Sequence, residues 1–198
     1  GLGRDQRACP AGLGPDVSPM CRLMASERPG TASGWGRAPQ VGPTCHDEAM
    51  STLFTKSING DIPGRFAWAD DTCVVFATIA PITDGHMLVV PRAEVPKFTA
   101  ADDALLDHLM NVAKVIGQAC EQAFDSPRAA LLIGGFEIEH LHMHVLPAWG
   151  EAELSFSNAR DDVPGDELDA ATERVRAALR DLGFGAHVPP AMDSAALA

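Results

Sequence analysis

The most restrictive feature of the chain is a six-residue segment in which histidines and apolar residues alternate, His140-Leu141-His142-Met143-His144-Val145. In an extended strand, successive side chains point to opposite faces. The spacing therefore predicts a strand that turns three apolar side chains into the core and presents three imidazoles together on its other face. A single histidine is usually structural, but three at strand spacing indicate a functional site.

The charge of the chain argues against several classes of partner. Its 198 residues carry a formal net charge of −12. Because residues 1–49 contain five Arg and five Asp or Glu, the whole acidic excess lies in residues 50–198. An acidic domain without a basic stripe is poorly suited to bind nucleic acid or an anionic membrane surface. No apolar run approaches the roughly 20 residues of a membrane-spanning helix. We therefore expect neither a nucleic acid nor a membrane as partner.

Cysteine usage favours a reducing compartment. The five cysteines stand at positions 9, 21, 45, 73 and 120, form no C-x-x-C pair and are odd in number. The beginning of the chain also lacks the apolar stretch of a secretory signal. We expect reduced thiols and a cytoplasmic location.

Three segments of different character are predicted along the chain. Residues 1–49 contain eight Gly and six Pro, with apolar residues at neither helical nor strand spacing, which predicts a disordered extension. Either translation begins at Met50 or this stretch is an ordinary flexible tail. Residues 50–188 are predicted to form the folded domain, and residues 189–198 a flexible C-terminal tail.

The periodicities of the folded part predict an α+β fold. A mostly antiparallel, five-stranded sheet is expected from strands at residues 65–69, 72–79, 86–91, 129–133 and 140–146. A short helix at residues 51–58 is expected, and a capping box of Thr99 and Asp102 predicts the start of a long helix. A last helix is expected at residues 166–182, with Gly183 as its end. Short turns between the early strands argue against a doubly wound fold.

A row of imidazoles supports two kinds of chemistry. Neutral imidazoles can bind a metal ion, but no carboxylate follows His144 before Glu151, so His86 would have to complete such a site in space. Alternatively, one imidazole attacks phosphorus and forms a covalent adduct, while its neighbours bind phosphate oxygens and assist the leaving group. Attack requires a free ring nitrogen, with the hydrogen of the other nitrogen held by a fixed acceptor.

The histidine segment resembles the motif of the histidine triad (HIT) family. The resemblance extends over most of residues 50–188 and includes Gly85-His86-Met87-Leu88-Val89-Val90-Pro91, the long helix and Pro147. The family hydrolyses or transfers nucleotides at the α-phosphorus, commonly as homodimers and without a catalytic metal. A homodimer that needs no cofactor is therefore what the resemblance implies here.

The resemblance also implies roles for four histidines. His142 corresponds to the nucleophile, and His144 to a residue that contacts the phosphate or the leaving group. His140 corresponds to an orienting residue, and His86 to a fourth histidine that lines the same pocket.

Positions around the triad depart from the family pattern. Thr78 stands where nucleoside-binding members have an aspartate that grips both ribose hydroxyls, and a threonine cannot accept two hydrogen bonds as a carboxylate does. The loop that contacts phosphate in many members here contains Gly134, Gly135 and Glu137. We take these three residues and Thr78 as candidate substrate contacts, and we expect weak binding of ordinary nucleotides.

The resemblance further implies that no structural zinc ion is bound. Some members hold zinc with two cysteines near the start of the domain and a histidine after the third strand. Those places here are taken by Thr52, Thr55 and Glu94, and none of these is a soft ligand. No metal site is expected.

The sequence thus predicts a metal-independent nucleotide hydrolase or nucleotidyl transferase that acts through a His142 adduct. The expected partner is a small-molecule nucleotide or phosphate ester, of the phosphoramidate or dinucleoside polyphosphate type. The alternative from another class is a non-catalytic protein that keeps the triad to bind a nucleotide or phosphate. A metal hydrolase with histidine ligands is the third alternative.

Overall fold

A five-stranded antiparallel sheet organises the part of the chain that the computed structural model describes, residues 51–197. The predicted extension at residues 1–49 lies outside this part. The strand order is β1-β2-β3-β5-β4. The strands are β1 (Phe66–Ala69), β2 (Cys73–Ala77), β3 (Met87–Pro91), β4 (Arg128–Ile133) and β5 (Met143–Ala148). The helices are α1 (Leu53–Ile58), α2 (Asp103–Phe124) and α3 (Gly165–Asp181). The predicted α+β fold is confirmed.

Each face of the sheet buries its own apolar cluster. Helices α2 and α3 cover one face, and the three apolar residues of the triad segment are buried there as predicted: Leu141, Met143 and Val145. On the other face, Phe54 of α1 packs in a smaller cluster with Phe76 and Leu88. Because side chains alternate between the faces, the triad histidines lie on the side of α1.

The strand that carries the triad begins later than predicted. β5 starts at Met143, so among the three histidines only His144 pairs in the ladder, opposite Leu88 of β3 and Leu132 of β4. Before Met143 the backbone makes other bonds, such as the one from Leu141 N to Val95 O at 2.6 Å. Val95, in the loop after β3, thus accepts the hydrogen bond that a strand partner would accept from Leu141, and the alternation of side chains is kept.

The predicted capping box is wrong, although the long helix is present. Thr99 lies in a 3₁₀ turn, Phe98–Ala100, ahead of α2. The helix is capped by Asp102, whose carboxylate accepts a hydrogen bond from Leu105 N at 2.8 Å. Aspartate is as good an N-cap as threonine, and the extended backbone at Asp102 decides which residue acts. In residues 51–197, no helix has the length and apolar character needed to cross a membrane.

Residues 189–197 pack along the sheet, where the sequence predicted a flexible tail. Phe66 N donates to Met192 O at 2.7 Å, and the Arg92 guanidinium donates to Ala195 O at 3.4 Å. Ala195 is buried in the smaller cluster. These contacts use backbone carbonyls, which side-chain periodicity does not reveal.

Candidate active site

The four predicted histidines lie together on the α1 side of the sheet. The ring centroids of His86 and His144 are 5.1 Å apart, and those of His142 and His144 are 4.9 Å apart. His86, His140 and His142 are buried, whereas His144 is half-buried. Antiparallel pairing of β3 with β5 explains the placement, because it sets Met87, the residue after His86, opposite Val145.

The hydrogen bond of His142 fixes its tautomer. Its Nδ1 lies 2.7 Å from the carbonyl oxygen of His140. A carbonyl only accepts, so Nδ1 carries the hydrogen and Nε2 of the neutral ring keeps its lone pair. Gly135, with φ of +86°, runs so close that a β-carbon there would lie 3.9 Å from Cε1 of His142. The arrangement is the one that nucleophilic attack requires.

A second chain of hydrogen bonds orients His144. The amide of Ile82 donates to Nδ1 of His86 at 3.2 Å, so neutral His86 carries its hydrogen on Nε2. That nitrogen lies 3.0 Å from Nδ1 of His144 and donates to it. Neutral His144 must then carry its hydrogen on Nε2, where it can donate to a bound ligand.

Burial keeps this pair of imidazoles neutral. Burial, together with the neighbouring His144, lowers the pKa of His86 to about 3. Burial and the neighbouring His142 lower the pKa of His144 to about 4. At neutral pH both rings are uncharged, so His144 can donate a hydrogen bond but carries no imidazolium charge.

His140 is held at both ring nitrogens. Nε2 lies 2.8 Å from the carbonyl oxygen of Pro91 and therefore carries the hydrogen. Nδ1 lies 2.7 Å from Oγ1 of Thr52 and accepts from that hydroxyl. Burial lowers the pKa of His140, so its neutral form is favoured.

Two phenylalanines flank the histidines, and neither was predicted as a site residue. Phe54 meets the rings of His140 and His142 edge-on, with centroids 5.8 and 4.9 Å away. Phe156 meets His144 in the same way at 4.8 Å and is 53% exposed. Phe54 is a buried residue of the short helix α1, and Phe156 lies in a 3₁₀ turn with no periodic pattern to mark it.

The candidate substrate contacts Thr78, Gly134 and Glu137 are not packed together as the four histidines are. Thr78 N donates to His86 O at 3.2 Å, and the Thr78 hydroxyl accepts from Ala80 N in a local turn. A β-carbon on Gly134 would lie 3.9 Å from the Phe156 ring. Glu137 is exposed on the same loop. Thr78 is thus tied to His86 through the backbone.

A separate polar cluster joins β1, β2 and α2. Within the described residues, Asp70, Cys73 and His108 form the one group of three possible metal donors whose atoms lie within 4.8 Å of one another. Although burial opposes it, hydrogen bonds from Trp68 and from the amides of Cys73 and Thr72 lower the pKa of Asp70 to about 2. Burial raises the pKa of Cys73, so its thiol stays protonated. Hydrogen bonds to Asp70 thus close the β1–β2 turn and connect it to His108 of α2.

Comparison with known proteins gives one consistent result. The family model described as HIT domain matches residues 59–150. A relative from Methanocaldococcus jannaschii, described as an uncharacterized HIT-like protein, is 31% identical over 121 residues, covering 59% of this chain and 94% of the relative.

Solved structures show the same fold. A zinc-bound histidine triad family protein from Mycobacterium smegmatis is 25% identical with a TM-score of 0.59, covering 69% of this chain and 98% of that chain. A hypothetical histidine triad nucleotide-binding protein from Sulfolobus tokodaii is 26% identical with a TM-score of 0.58, covering 65% of this chain and 92% of that chain.

The residues expected at the zinc position lie together but do not fit zinc. Thr52 N donates to Oε1 of Glu94 at 3.1 Å, and the Thr55 hydroxyl donates to the same oxygen. Both ring nitrogens of the adjacent His140 are already hydrogen-bonded. Two threonine hydroxyls and a carboxylate lack the thiolate and imidazole ligands typical of structural zinc.

Proposed function

The chain belongs to the HIT family, and on that basis we propose that it is a metal-independent nucleotide hydrolase or nucleotidyl transferase. It acts at the α-phosphorus of a phosphoramidate, a dinucleoside polyphosphate or a related phosphate ester. The observation that carries the proposal is the His142 imidazole, whose Nδ1–H is held by His140 O at 2.7 Å. Its Nε2 lone pair is thereby left for attack on phosphorus.

The hydrogen bonds around the site support a two-step reaction. His142 Nε2 forms a bond to phosphorus while the P–N or P–O bond to the leaving group breaks, and the departing atom keeps the electron pair and takes a proton from water. His144 Nε2–H stabilises that atom or a phosphate oxygen by hydrogen bonding. Water, or the hydroxyl of an acceptor in a transferase, then attacks phosphorus and releases its proton to the solvent, which restores the proton taken in the first step, while the P–N bond breaks and its electron pair returns to Nε2 of His142.

A nucleotide is the proposed ligand because a relative from Sulfolobus tokodaii is described as nucleotide-binding. We propose that Gly134 and Gly135 let the backbone approach the phosphates, with Glu137 on the same loop. Thr78 would lie near the sugar. A neutral hydroxyl there contributes less than a carboxylate would, so ordinary mononucleotides should bind weakly.

A homodimer and a cytoplasmic location belong to the same proposal. β4 is an edge strand of the sheet in the described part of the chain. Leu131 and Ile133 of β4, and Met110 of α2, are 38%, 36% and 47% exposed. An apolar strand edge is a template for pairing with a second copy. Cys73 and Cys120 are buried and unpaired with each other, which suits a reducing compartment.

The decisive experiment compares two histidine variants. His142→Ala should lose about a thousandfold or more in turnover of nucleoside phosphoramidates or dinucleoside polyphosphates, because no other group replaces the aligned nitrogen. His108→Ala removes an imidazole that bonds Asp70 outside the site and should retain activity. Alkaline quenching followed by mass spectrometry should detect a nucleotidyl adduct on His142 alone.

Other outcomes would favour the alternatives. Comparable turnover by His142→Ala, with loss of activity in chelator, would indicate a metal hydrolase. Tight nucleotide binding in calorimetry without turnover of either substrate class would indicate a non-catalytic binding protein.

A further inference from the structure

A chain of hydrogen bonds runs from the protein surface to the buried His140 ring. Glu94 is exposed, and its Oε1 accepts from the Thr55 hydroxyl and from Thr52 N. The Thr52 hydroxyl accepts from Thr55 N at 3.2 Å and donates to His140 Nδ1 at 2.7 Å. The direction of the Thr52–His140 bond follows from the Pro91 carbonyl at the far side of the ring, which fixes the hydrogen on Nε2.

His140 also contacts His142, through its main chain. The His140 carbonyl accepts the Nδ1 hydrogen of His142 at 2.7 Å. α1 also contacts both rings directly, because Phe54 packs edge-on against them. The position of α1 and the orientation of His142 are therefore coupled through His140.

The contacts of Thr52 exceed what a helix cap needs. An N-cap side chain accepts a hydrogen bond from the third residue of the helix, here Thr55 N. Thr52 also donates its single hydroxyl hydrogen to the imidazole of His140, which lies 88 residues away in the chain. Helix capping requires an acceptor, whereas the bond to His140 requires a donor.

We propose that Thr52, held by Thr55 and Glu94, is a positioning residue: together with the Pro91 carbonyl it fixes the tautomer and position of the His140 ring, and through the His140 main chain it fixes the alignment of His142. This use of the position differs from zinc binding, since hydroxyls and a carboxylate orient the imidazole by hydrogen bonds alone. The expected effect on turnover rests on the proposed function, whereas the effect on the tautomer does not.

Two variants at position 52, isosteric with each other, distinguish helix capping from hydrogen-bond donation to His140. Asparagine at position 52 can accept from Thr55 N and still donate to His140 through its amide. Aspartate can accept from Thr55 N equally well but has no hydrogen to donate when ionised. Both are strong N-caps, so Thr52→Asn and Thr52→Asp should be equally stable in thermal unfolding. Thr52→Ser keeps both functions.

Nitrogen-15 NMR of the free protein reads the tautomer directly. In the wild type, Thr52→Ser and Thr52→Asn, His140 should show a protonated Nε2 and an unprotonated Nδ1 at neutral pH. In Thr52→Asp the carboxylate should draw a hydrogen onto Nδ1, which shifts that resonance into the protonated range. The kcat of Thr52→Asp should fall about tenfold to a hundredfold relative to Thr52→Asn, with KM little changed, because misalignment acts on the chemical step.

Thr52→Gly provides a second route if the aspartate variant does not fold. Glycine is tolerated at an N-cap but offers neither donor nor acceptor, so the Nδ1 resonance of His140 should lose its wild-type position and kcat should again fall. An unchanged His140 spectrum in Thr52→Asp or Thr52→Gly would show that Thr52 is only a helix cap and would overturn the inference. If the wild type turns over no substrate, the proposed function fails, and the NMR comparison still decides the role of Thr52.

Discussion

At the scale of single residues, the site depends on which nitrogen of each imidazole carries the hydrogen. Backbone groups determine which nitrogen carries the hydrogen in His86, His140 and His142, because a carbonyl only accepts and an amide only donates. His144 takes its state from His86 in turn. The site can therefore present one lone pair, on His142, and one donor, on His144, without any charged side chain deciding the pattern.

The buried histidines should make stability depend on pH. The pKa of His86 is about 3 in the folded protein against an ordinary value of 6.5. Below pH 6.5 the unfolded chain binds a proton that the folded protein does not, so stability is complete above 6.5 and falls as the pH is lowered toward 3. His86 alone should cost about 2 kcal/mol at pH 5.

Urea unfolding at pH 7.5, 6 and 5 measures this loss. His86→Asn removes the titrating group, so its stability should vary less between pH 7.5 and 5 than that of the wild type. An equal pH dependence in the two proteins would mean that His86 is not the group responsible.

At the scale of elements, caps and turns hold the site in place. α2 packs on the sheet behind the triad and is capped by Asp102. The turn ahead of β3 brings Gly85 against Phe124 at the end of α2. Both features lie outside the site. The cap fixes the start of α2, which packs behind the triad, and the turn at Gly85 fixes the backbone next to His86.

The two candidate caps of α2 can be distinguished by alanine substitution. Asp102→Ala should cost about 1 kcal/mol of stability because the Leu105 amide loses its acceptor. Thr99→Ala should be close to neutral, since Thr99 is exposed in the preceding 3₁₀ turn. Thermal unfolding of both variants tests this, and a larger loss for Thr99→Ala would contradict the observed cap.

Gly85 should tolerate substitution far less than Gly60. Both have positive φ, +81° and +85°, but a β-carbon at Gly85 would overlap the Phe124 ring, whereas nothing lies within 4 Å at Gly60. Gly60→Ala should cost about 1 kcal/mol from backbone strain alone. Gly85→Ala should cost roughly 3 kcal/mol or more and displace the adjacent His86. Equal melting temperatures for the two variants would show that the close approach at Gly85 is relieved cheaply.

At the scale of the whole molecule, the two faces of the sheet have different roles. One face packs on α2 and α3 to form the main core, and the other carries the histidines, α1 and Ala195. The edge strand β4 leaves apolar side chains exposed beside α2. This edge is where we propose that a second copy pairs.

A charge on the β4 edge should prevent the proposed dimer. Ile133→Lys places an ammonium group on an apolar strand edge and should give a monomer in light scattering coupled to size exclusion. Ile79→Lys changes a 76% exposed isoleucine outside β4 and should leave the dimer intact. A monomeric wild type, or a dimer that Ile133→Lys does not disturb, would contradict this interface.

Strand periodicity in the sequence was sufficient to predict which side chains of the triad segment are buried and which face the site. The reason is that alternation is a local property of extended backbone, and it holds even though β5 begins only at Met143. The succession of strands and helices along the chain followed in the same way from local patterns. The zinc-position residues Thr52, Thr55 and Glu94 were also identified in sequence, through the resemblance.

Only the tertiary structure decided the states of the imidazoles. The partners of His140 are Thr52, 88 residues away, and the carbonyl of Pro91, 49 residues away, and a sequence pattern contains no information about backbone groups at such separations. The contact of Phe156 with His144 and the packing of residues 189–197 were also missed. Neither segment has a periodic pattern that would predict its contacts. The sequence by itself determined which residues could form the site, and the folded arrangement around the triad determined which ring nitrogen of each histidine carries the hydrogen.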